Sequence, residues 1–332
     1  MKKVLLVALA VLLTLSFTAC AFAEELPDAS DLTVAGIIHT EDQFGQMIAA
    51  GMQAACDDTG AYMYRGCSNL DASKEFELVN TYASMDIDAI CASPASQEGS
   101  NAVFQQLANQ GITVVYVNSA QGLGEATAFL SAQFSSNNEA LAATAADYAA
   151  EWLVENMPGE KIVVGTMSVK EGSTPIEQRY EGFVNAIAGA GLEYEVAARG
   201  YGYTQDVALQ VVGDMLTANP DINVVWCDCE GSAIGAVMAV KAAGLQDQVK
   251  VFCIDVSEQI CDLLMEENPV LLAAAGQDGY AMGYDGMMYA LRVALGIEEK
   301  ATEDSYIAPR LFTAENPEEV AEYKAWLQEL AG

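Results

Sequence analysis

Short apolar runs and amphipathic stretches alternate along most of this chain. Residues 33–38 (Thr-Val-Ala-Gly-Ile-Ile) read as a buried strand, and residues 44–57 follow with Phe44, Met47, Ile48 and Met52 at helical spacing. The pattern then predicts strands over 61–64, 89–92 and 112–117, with helices over 73–85 and 97–110 between them. The cadence restarts at a strand over 161–166. A helix over 174–188 carries Tyr180, Phe183, Val184 and Ile187 on one face, and strands over 193–197, 222–227, 249–254 and 270–275 follow, separated by helical stretches. The tail predicts a helix over 280–295, a strand over 305–312 and an amphipathic helix over 317–330. Continuous Val/Ile runs with intervening helices indicate parallel sheets covered on both faces. The halves even share a phrase: Asp86-Ile-Asp-Ala-Ile-Cys91 resembles Asp221-Ile-Asn-Val-Val-Trp226-Cys227. A chain of 332 residues exceeds what one hydrophobic core usually serves. The fold class is therefore α/β, with two similar doubly wound parallel-sheet lobes and no Pro/Gly/Ser-rich linker between them.

The first 23 residues break the cadence. Met1-Lys2-Lys3 is a short basic start, residues 4–17 are an almost unbroken apolar run, and Ala21-Phe22-Ala23 is a small-residue cleavage pattern before Glu24-Glu25. This is the layout of a secretory signal peptide, and the run is too short for a membrane span of roughly 20 apolar residues. The protein is thus expected outside the cytoplasm, in the periplasm or at the outer face of the cell membrane. Cleavage after Ala23 is the preferred reading. Phe17-Thr-Ala-Cys20 is an imperfect lipid-attachment pattern, since Leu is usual where Phe17 stands. No later stretch reads as membrane-spanning; even 140–154 carries Asp147 and Glu151.

The charge then narrows the partners. Asp and Glu number 47 against 14 Lys and Arg, for a net charge of −33, so the surface repels phosphate backbones and nucleic-acid binding is excluded. With Cys20 set aside, an odd set of cysteines remains: Cys56, Cys67, Cys91, Cys227, Cys229, Cys253 and Cys261. Cys91, Cys227 and Cys253 sit inside apolar strands, where cysteine behaves as a small hydrophobe. Mostly buried free thiols are expected, with Cys56 and Cys67 the first candidates for a disulfide.

In doubly wound sheets, ligands bind outside the carboxyl ends of the strands. Those ends read His39-Thr-Glu-Asp42, Ser93, Asn118-Ser119, Tyr201-Gly-Tyr203, Asp228-Cys229-Glu230, Asp255 and Gln277. Asp, Asn and Gln side chains each engage two hydroxyls and aromatic rings cover C–H faces, the set that neutral carbohydrates call for. Any one of these positions could instead cap the next helix. Signals for catalysis are poor. There is no G-x-G-x-x-G after the first strand, no phosphate-cradling G-x-x-x-x-G-K-[ST] and no G-x-S-x-G. The single histidine, His39, is expected to line or border the cleft rather than act as a base. Cys227 and Cys229 near Cys253 lack the His partners of a zinc site, so no metal and no cofactor are expected. Asp57-Asp58 and Glu266-Glu267 read as solvated helix ends.

Taken in order, Thr40-Glu-Asp-Gln-Phe44 through Gly51, Ile112 to Asn118, Gly172-Ser-Thr-Pro-Ile-Glu-Gln-Arg-Tyr-Glu-Gly-Phe183, Glu230-Gly-Ser-Ala-Ile-Gly-Ala236 and Phe252-Cys-Ile-Asp255 resemble the periplasmic sugar-binding proteins of the ribose/galactose type. These are the type I substrate-binding proteins of ABC transporters. The resemblance spans residues 31–312 and implies a three-crossover hinge near Ser135-Ser136, Gln277-Asp278 and Ala308-Pro309. It implies an N-terminal lobe of 31–135 with 278–308 and a C-terminal lobe of 136–277 with 309–332. It further implies Asp42, Phe44, Asn118, Ser119, Glu177, Tyr203, Cys229, Asp255 and Gln277 as ligand-binding residues. The chain would be a monomeric solute-binding protein delivering a sugar-like molecule to an ABC permease. A sensory adaptor for a membrane receptor is an alternative, as is a nucleoside, polyol or amino compound as ligand; an exported enzyme is disfavoured. The chain departs from the pattern in three places. Relatives commonly have Asp-Arg where Asn118-Ser119 stand, Arg where Glu177 stands and Asn where Cys229 stands. A buried carboxylate at position 177 needs a partner, from the ligand or from Arg179.

Overall fold

The computed structural model describes residues 26–96, 98–119 and 121–331. The expected export segment and both of its candidate cleavage sites lie outside the described residues. The chain first runs β1 (Thr33–Ile38), α1 (Gln43–Thr59), β2 (Tyr62–Cys67), α2 (Ala72–Ala83), β3 (Ala89–Ala92), α3 (Asn101–Asn109), β4 (Thr113–Val117) and β5 (Ala132–Ser136). It continues through α4 (Asn138–Asn156), β6 (Ile162–Ser168), α5 (Thr174–Gly189), β7 (Tyr194–Tyr201), α6 (Gln205–Ala218), β8 (Val224–Cys227), α7 (Glu230–Ala243), β9 (Lys250–Ile254), α8 (Glu258–Leu264) and β10 (Leu271–Gly276). It ends with α9 (Gly279–Ala294), β11 (Ser305–Ile307), β12 (Arg310–Thr313) and α10 (Pro317–Ala331). Two six-stranded sheets result, ordered β11-β5-β4-β3-β1-β2 and β12-β10-β9-β8-β6-β7. The chain changes sheet three times: after β5, after β10, and between β11 and β12.

Apolar runs form these strands because both faces of each sheet are covered. In β1, Val34 and Ile38 enter one core while Ala35 and Ile37 enter the opposite one. In β4, Val115 and Val117 pair off against Val114 and Tyr116 in the same way. The second sheet repeats this period-two division, with Val225 and Cys227 of β8 on one face and Val224 and Trp226 on the other. Trp226 stacks on Phe183 of α5 at a ring-centroid distance of 4.6 Å. All seven cysteines among the described residues are free thiols, six of them buried, so the Cys56–Cys67 disulfide is not made. Burial pushes the Cys56 thiol up to about 12, which makes it inert.

Three local readings differ from expectation. Residues 305–312 are not one strand. β11 pairs in parallel with β5 in the first sheet, whereas β12 pairs antiparallel with β10 in the second. The break falls at Ala308-Pro309, where proline offers no N–H for a ladder. β5 carried no apolar-run signal because two of its buried positions are Gln133 and Ser135. β7 runs on to Tyr201, past the expected end at Ala197.

The two halves are joined by apolar contact as well as by chain. Met47 of α1, 3% exposed, belongs to the core of the second half, and Phe44 packs against the cores of both. The Tyr323 hydroxyl of α10 reaches the Met47 sulfur at 3.5 Å. Helices α1 and α9 meet so closely that a Cβ at Gly283 would lie 2.0 Å from the Ile48 carbonyl oxygen, and one at Gly51 2.0 Å from that of Tyr280. Gly283→Ala should therefore destabilise the protein by about 1–3 kcal/mol. Gly213→Ala, at a helical position where an added Cβ would meet nothing within 4 Å beyond its own turn of helix, should be neutral or stabilising by up to about 1 kcal/mol. Urea unfolding of the two variants measures both; an unchanged midpoint for Gly283→Ala would refute the close helix contact.

Candidate functional site

The carboxyl ends of the strands from both sheets open onto one cleft. A cavity of about 770 Å³ is lined by His39 after β1, Ser93 after β3, Asn118 and Ser119 after β4, Gln133 and Ser135 of β5, Asn137 and Asn138 before and at the start of α4, Gln178 and Arg179 of α5, and Gln277. A second pocket of about 240 Å³ is lined by Asp42, Phe44, Met47, Glu230, Asp255 and Gln277. Gln277, on the crossover after β10, borders both, so they are two parts of one site. A groove of about 870 Å³ along α4 and α5 is comparable in size. Alanines and surface carboxylates line it, with no polar groups converging from strand ends.

Local chain geometry places these side chains. Asp42 caps α1, its Oδ1 accepting the Gly45 N–H at 2.9 Å. The turn is tight enough that a Cβ at Gly45 would meet the Thr40 carbonyl oxygen at 2.0 Å. Asn118 and Asp255 end β4 and β9, the third strands from corresponding edges of the two sheets, and both adopt left-handed backbone, with φ of 52° and 73°. Non-glycine residues there cost of order 1–3 kcal/mol unless the surroundings hold them, a strain that concentrates at functional sites. The surroundings do hold them: the Asn118 N–H donates to the Phe134 carbonyl at 2.9 Å and the Asp255 N–H to the Ala275 carbonyl at 2.9 Å. Asp255 Oδ1 also accepts from Gln277 Nε2 at 2.8 Å, tying a strand end to the crossover.

His39 Nδ1 and the Ser93 hydroxyl share a hydrogen bond of 2.8 Å. Burial lowers the His39 pKa, only partly offset by the charge of Asp42, so the imidazole is neutral at pH 7. Arg179 Nε donates to Asn138 Oδ1 at 2.9 Å and Nη1 to the Asp228 carbonyl at 2.8 Å, pinning α4, α5 and the end of β8 together. The Asp228 carboxylate, 1% exposed, accepts the Val169 N–H at 3.0 Å. Burial pushes it up to about 6 against the pull of Arg179. Glu75, also buried, accepts the Ala95 N–H at 2.6 Å and the Ser100 hydroxyl, holding the loop that carries Ser93. Among the described residues no group of three or more His, Cys, Asp or Glu could hold a metal ion.

The residues expected to bind ligand divide accordingly. Asn118, Ser119 and Gln277 line the larger cavity; Asp42, Phe44, Asp255 and Gln277 line the smaller. Three are placed elsewhere. Glu177 receives both of its hydrogen bonds from Arg199 Nη2, at 3.0 Å each, and lines neither cavity. Its partner is therefore Arg199, not Arg179, while Gln178 and Arg179 turn to the cleft. Tyr203 is 66% exposed and Cys229 faces Ser232, with its sulfur 3.3 Å from that hydroxyl; neither lines either part of the cleft. Sequence reading missed Gln133, Asn137, Asn138, Gln178 and the supporting Glu75. The run from Ser135 to Asn138 carried one signal, a row of small and amide residues at a crossover.

Residues 37–298 match the family model described as a periplasmic binding protein domain. The ABC transporter periplasmic-binding protein YphF of Escherichia coli is 25% identical over 269 residues, 79% of this chain and 80% of that protein. The D-ribose/D-allose-binding protein of Pseudomonas aeruginosa is 25% identical over 245 residues, 71% of this chain and 72% of that one. A carbohydrate-transporter solute-binding protein from Agrobacterium radiobacter, solved with D-arabinose, superposes with a TM-score of 0.70. It is 23% identical and covers 86% of this chain and 95% of its own, a likeness of fold.

The Asp228 carboxyl gives a test of the site's electrostatics. Its folded pKa stands above the ordinary 3.8, so between about pH 4 and pH 6 the folded protein holds a proton that the unfolded chain has lost. Its contribution to stability therefore falls as pH rises through that window, by up to roughly 3 kcal/mol. Asp228→Asn removes the titration. Its stability relative to the unmodified protein, from urea unfolding at several pH values, should improve as pH rises from 4 to 7. A pH-independent difference would contradict the buried carboxyl.

Proposed function

The chain belongs to the periplasmic binding protein domain family, and from that premise we propose that it is an extracytoplasmic solute-binding protein that captures a sugar or sugar-like molecule for an ABC importer. The observation that supports this most is the convergence of Asn118, Ser135, Asn137, Gln178, Gln277 and their neighbours, from both sheets, on one polar cleft. Amide and hydroxyl groups held at strand ends suit a neutral polyhydroxy ligand, each able to donate and accept. A site of this kind rejects analogues lacking a hydroxyl, because its own groups would be left unpaired. The names of the E. coli and P. aeruginosa relatives point the same way. No helix among the described residues is long and apolar enough to cross a membrane. Residues 1–23 would direct export, with cleavage after Ala23.

The lobes in this reading are residues 31–135 with 278–308 and residues 136–277 with 309–332. They close about crossovers at 135–136, 277–278 and 308–309. A ligand touching both lobes favours the closed state by its extra contacts there, and only that state presents both lobes together to the permease. Gln277 is central because it belongs to a crossover and borders both parts of the cleft.

A thermal-shift panel of pentoses, hexoses, inositols, nucleosides and amino acids tests the ligand class. A true ligand at about 100 times its dissociation constant adds roughly 2.7 kcal/mol of apparent stability. Sugars or polyols should shift the melt; a shift by nucleosides or amino acids alone would overturn the sugar reading. With the sugar so found, Asn118→Ala and Gln277→Ala should weaken binding about tenfold or more in calorimetric titration. Glu177→Ala, paired with Arg199 outside the cleft, should leave affinity within about twofold. A large loss at Glu177 would mean that it reaches the ligand.

A further inference from the structure

The smaller pocket is lined by three carboxylates, Asp42 from the first half and Glu230 and Asp255 from the second, and by no basic side chain. None of the three forms an ion pair with a described Lys or Arg. Asp42 commits Oδ1 to the Gly45 N–H and Asp255 commits Oδ1 to Gln277, which leaves an oxygen of each for another donor. Glu230 is half-buried, and its pKa is raised by burial and by the charges of Asp255 and Asp42, against a hydrogen bond with the Ser257 side chain that lowers it. Like charges gathered this way repel unless a cation joins them. The larger part of the cleft does not supply one. Its guanidinium, Arg179, is engaged with Asn138 and the Asp228 carbonyl, and His39 is neutral.

A second feature of the same cleft also asks for a donor. Gln133, 2% exposed, lines the larger cavity, and its Oε1 has no hydrogen-bond partner. An orphaned buried acceptor costs about 1–3 kcal/mol, so an incoming N–H or O–H is the group that relieves it. A metal ion is the wrong occupant for the acidic end, since no three of these side chains converge as metal ligands. An ammonium group is larger, carries three divergent donors and suits carboxylates spread around a pocket.

Resting on the reading of this cleft as a sugar site, we propose that the ligand is an amine-bearing polyhydroxy compound, an amino sugar or amino polyol, whose protonated nitrogen sits among Asp42, Glu230 and Asp255. Its hydroxyls then face Asn118, Ser135 and Gln133. Because Asp42 comes from one half and Glu230 and Asp255 from the other, the ammonium would also link the two halves.

Calorimetric titration at pH 7 with D-galactosamine, D-glucosamine, their neutral parents D-galactose and D-glucose, and their uncharged N-acetyl derivatives tests this. At least one amine should bind about tenfold or more tightly than both its parent and its N-acetyl form. Glu230→Gln should remove most of that preference, lowering the affinity of the amine toward that of its N-acetyl form. If a neutral parent binds as tightly as its amine, the inference fails and the sugar reading stands. If none of the six compounds binds at millimolar concentration, the inference fails; the sugar reading fails with it only if the pentoses, hexoses and inositols of the thermal-shift panel also leave the melt unchanged. The comparison of amine with N-acetyl derivative uses the unmodified protein, so it decides the question even if Glu230→Gln does not fold.

Discussion

The seating of Phe44 and Met47 of α1 against the second half's core is the contact on which the rest of the molecule depends. Two sheets that each satisfy their own hydrogen bonds and bury their own faces have no further need of one another. What brings their strand ends together is the apolar contact at the start of α1, with three chain crossovers beside it. That start is fixed in turn by the Asp42 cap and by the tight approach of Gly45 to Thr40. The residue that caps the helix thus also stands at the junction of the two halves, beside Asp255 and Glu230. Position in the fold and position in the site are set by the same few bonds.

The halves are built alike, and the likeness reaches the site. The sheets share one strand order, and the strands that correspond, β4 and β9, both end in a left-handed residue with a polar side chain. Ser93 after β3 and Asp228 after β8 are likewise counterparts, both buried. They serve different ends. Ser93 faces the cleft with His39, whereas Asp228 turns inward to the Val169 amide and supports the loop after β6. One half offers mainly amides and hydroxyls, the other also carboxylates, and a ligand held between them would need to answer both.

Much of this was legible in the chain. Strands that bury both faces must be apolar throughout, so β1, β4, β6, β8, β9 and β10 announced themselves, and the polar residues just beyond them marked the cleft. β5 was hidden because Gln133 and Ser135, which serve the cleft, interrupt its apolar pattern. The tail looked like one strand because a sequence pattern does not say which sheet a segment joins, and two short pieces on either side of Pro309 join different ones. Glu177, expected in the site from the resemblance, faces Arg199, one residue of helix and about 100° of rotation from Gln178 on the cleft side. Angular phase of that kind depends on how a helix is rolled on its sheet, which apolar spacing defines only loosely.

The proposed function requires that a small polyhydroxy ligand be held between the two halves at the strand ends. A crystal structure of the protein grown with the compound that most raises its melting temperature tests this most directly. Ligand density is expected beside Gln277, touching Asn118 or Asp42 from the first half and Asp255, Glu230 or Gln178 from the second. Density confined to one half, or lodged in the groove along α4 and α5, would contradict it.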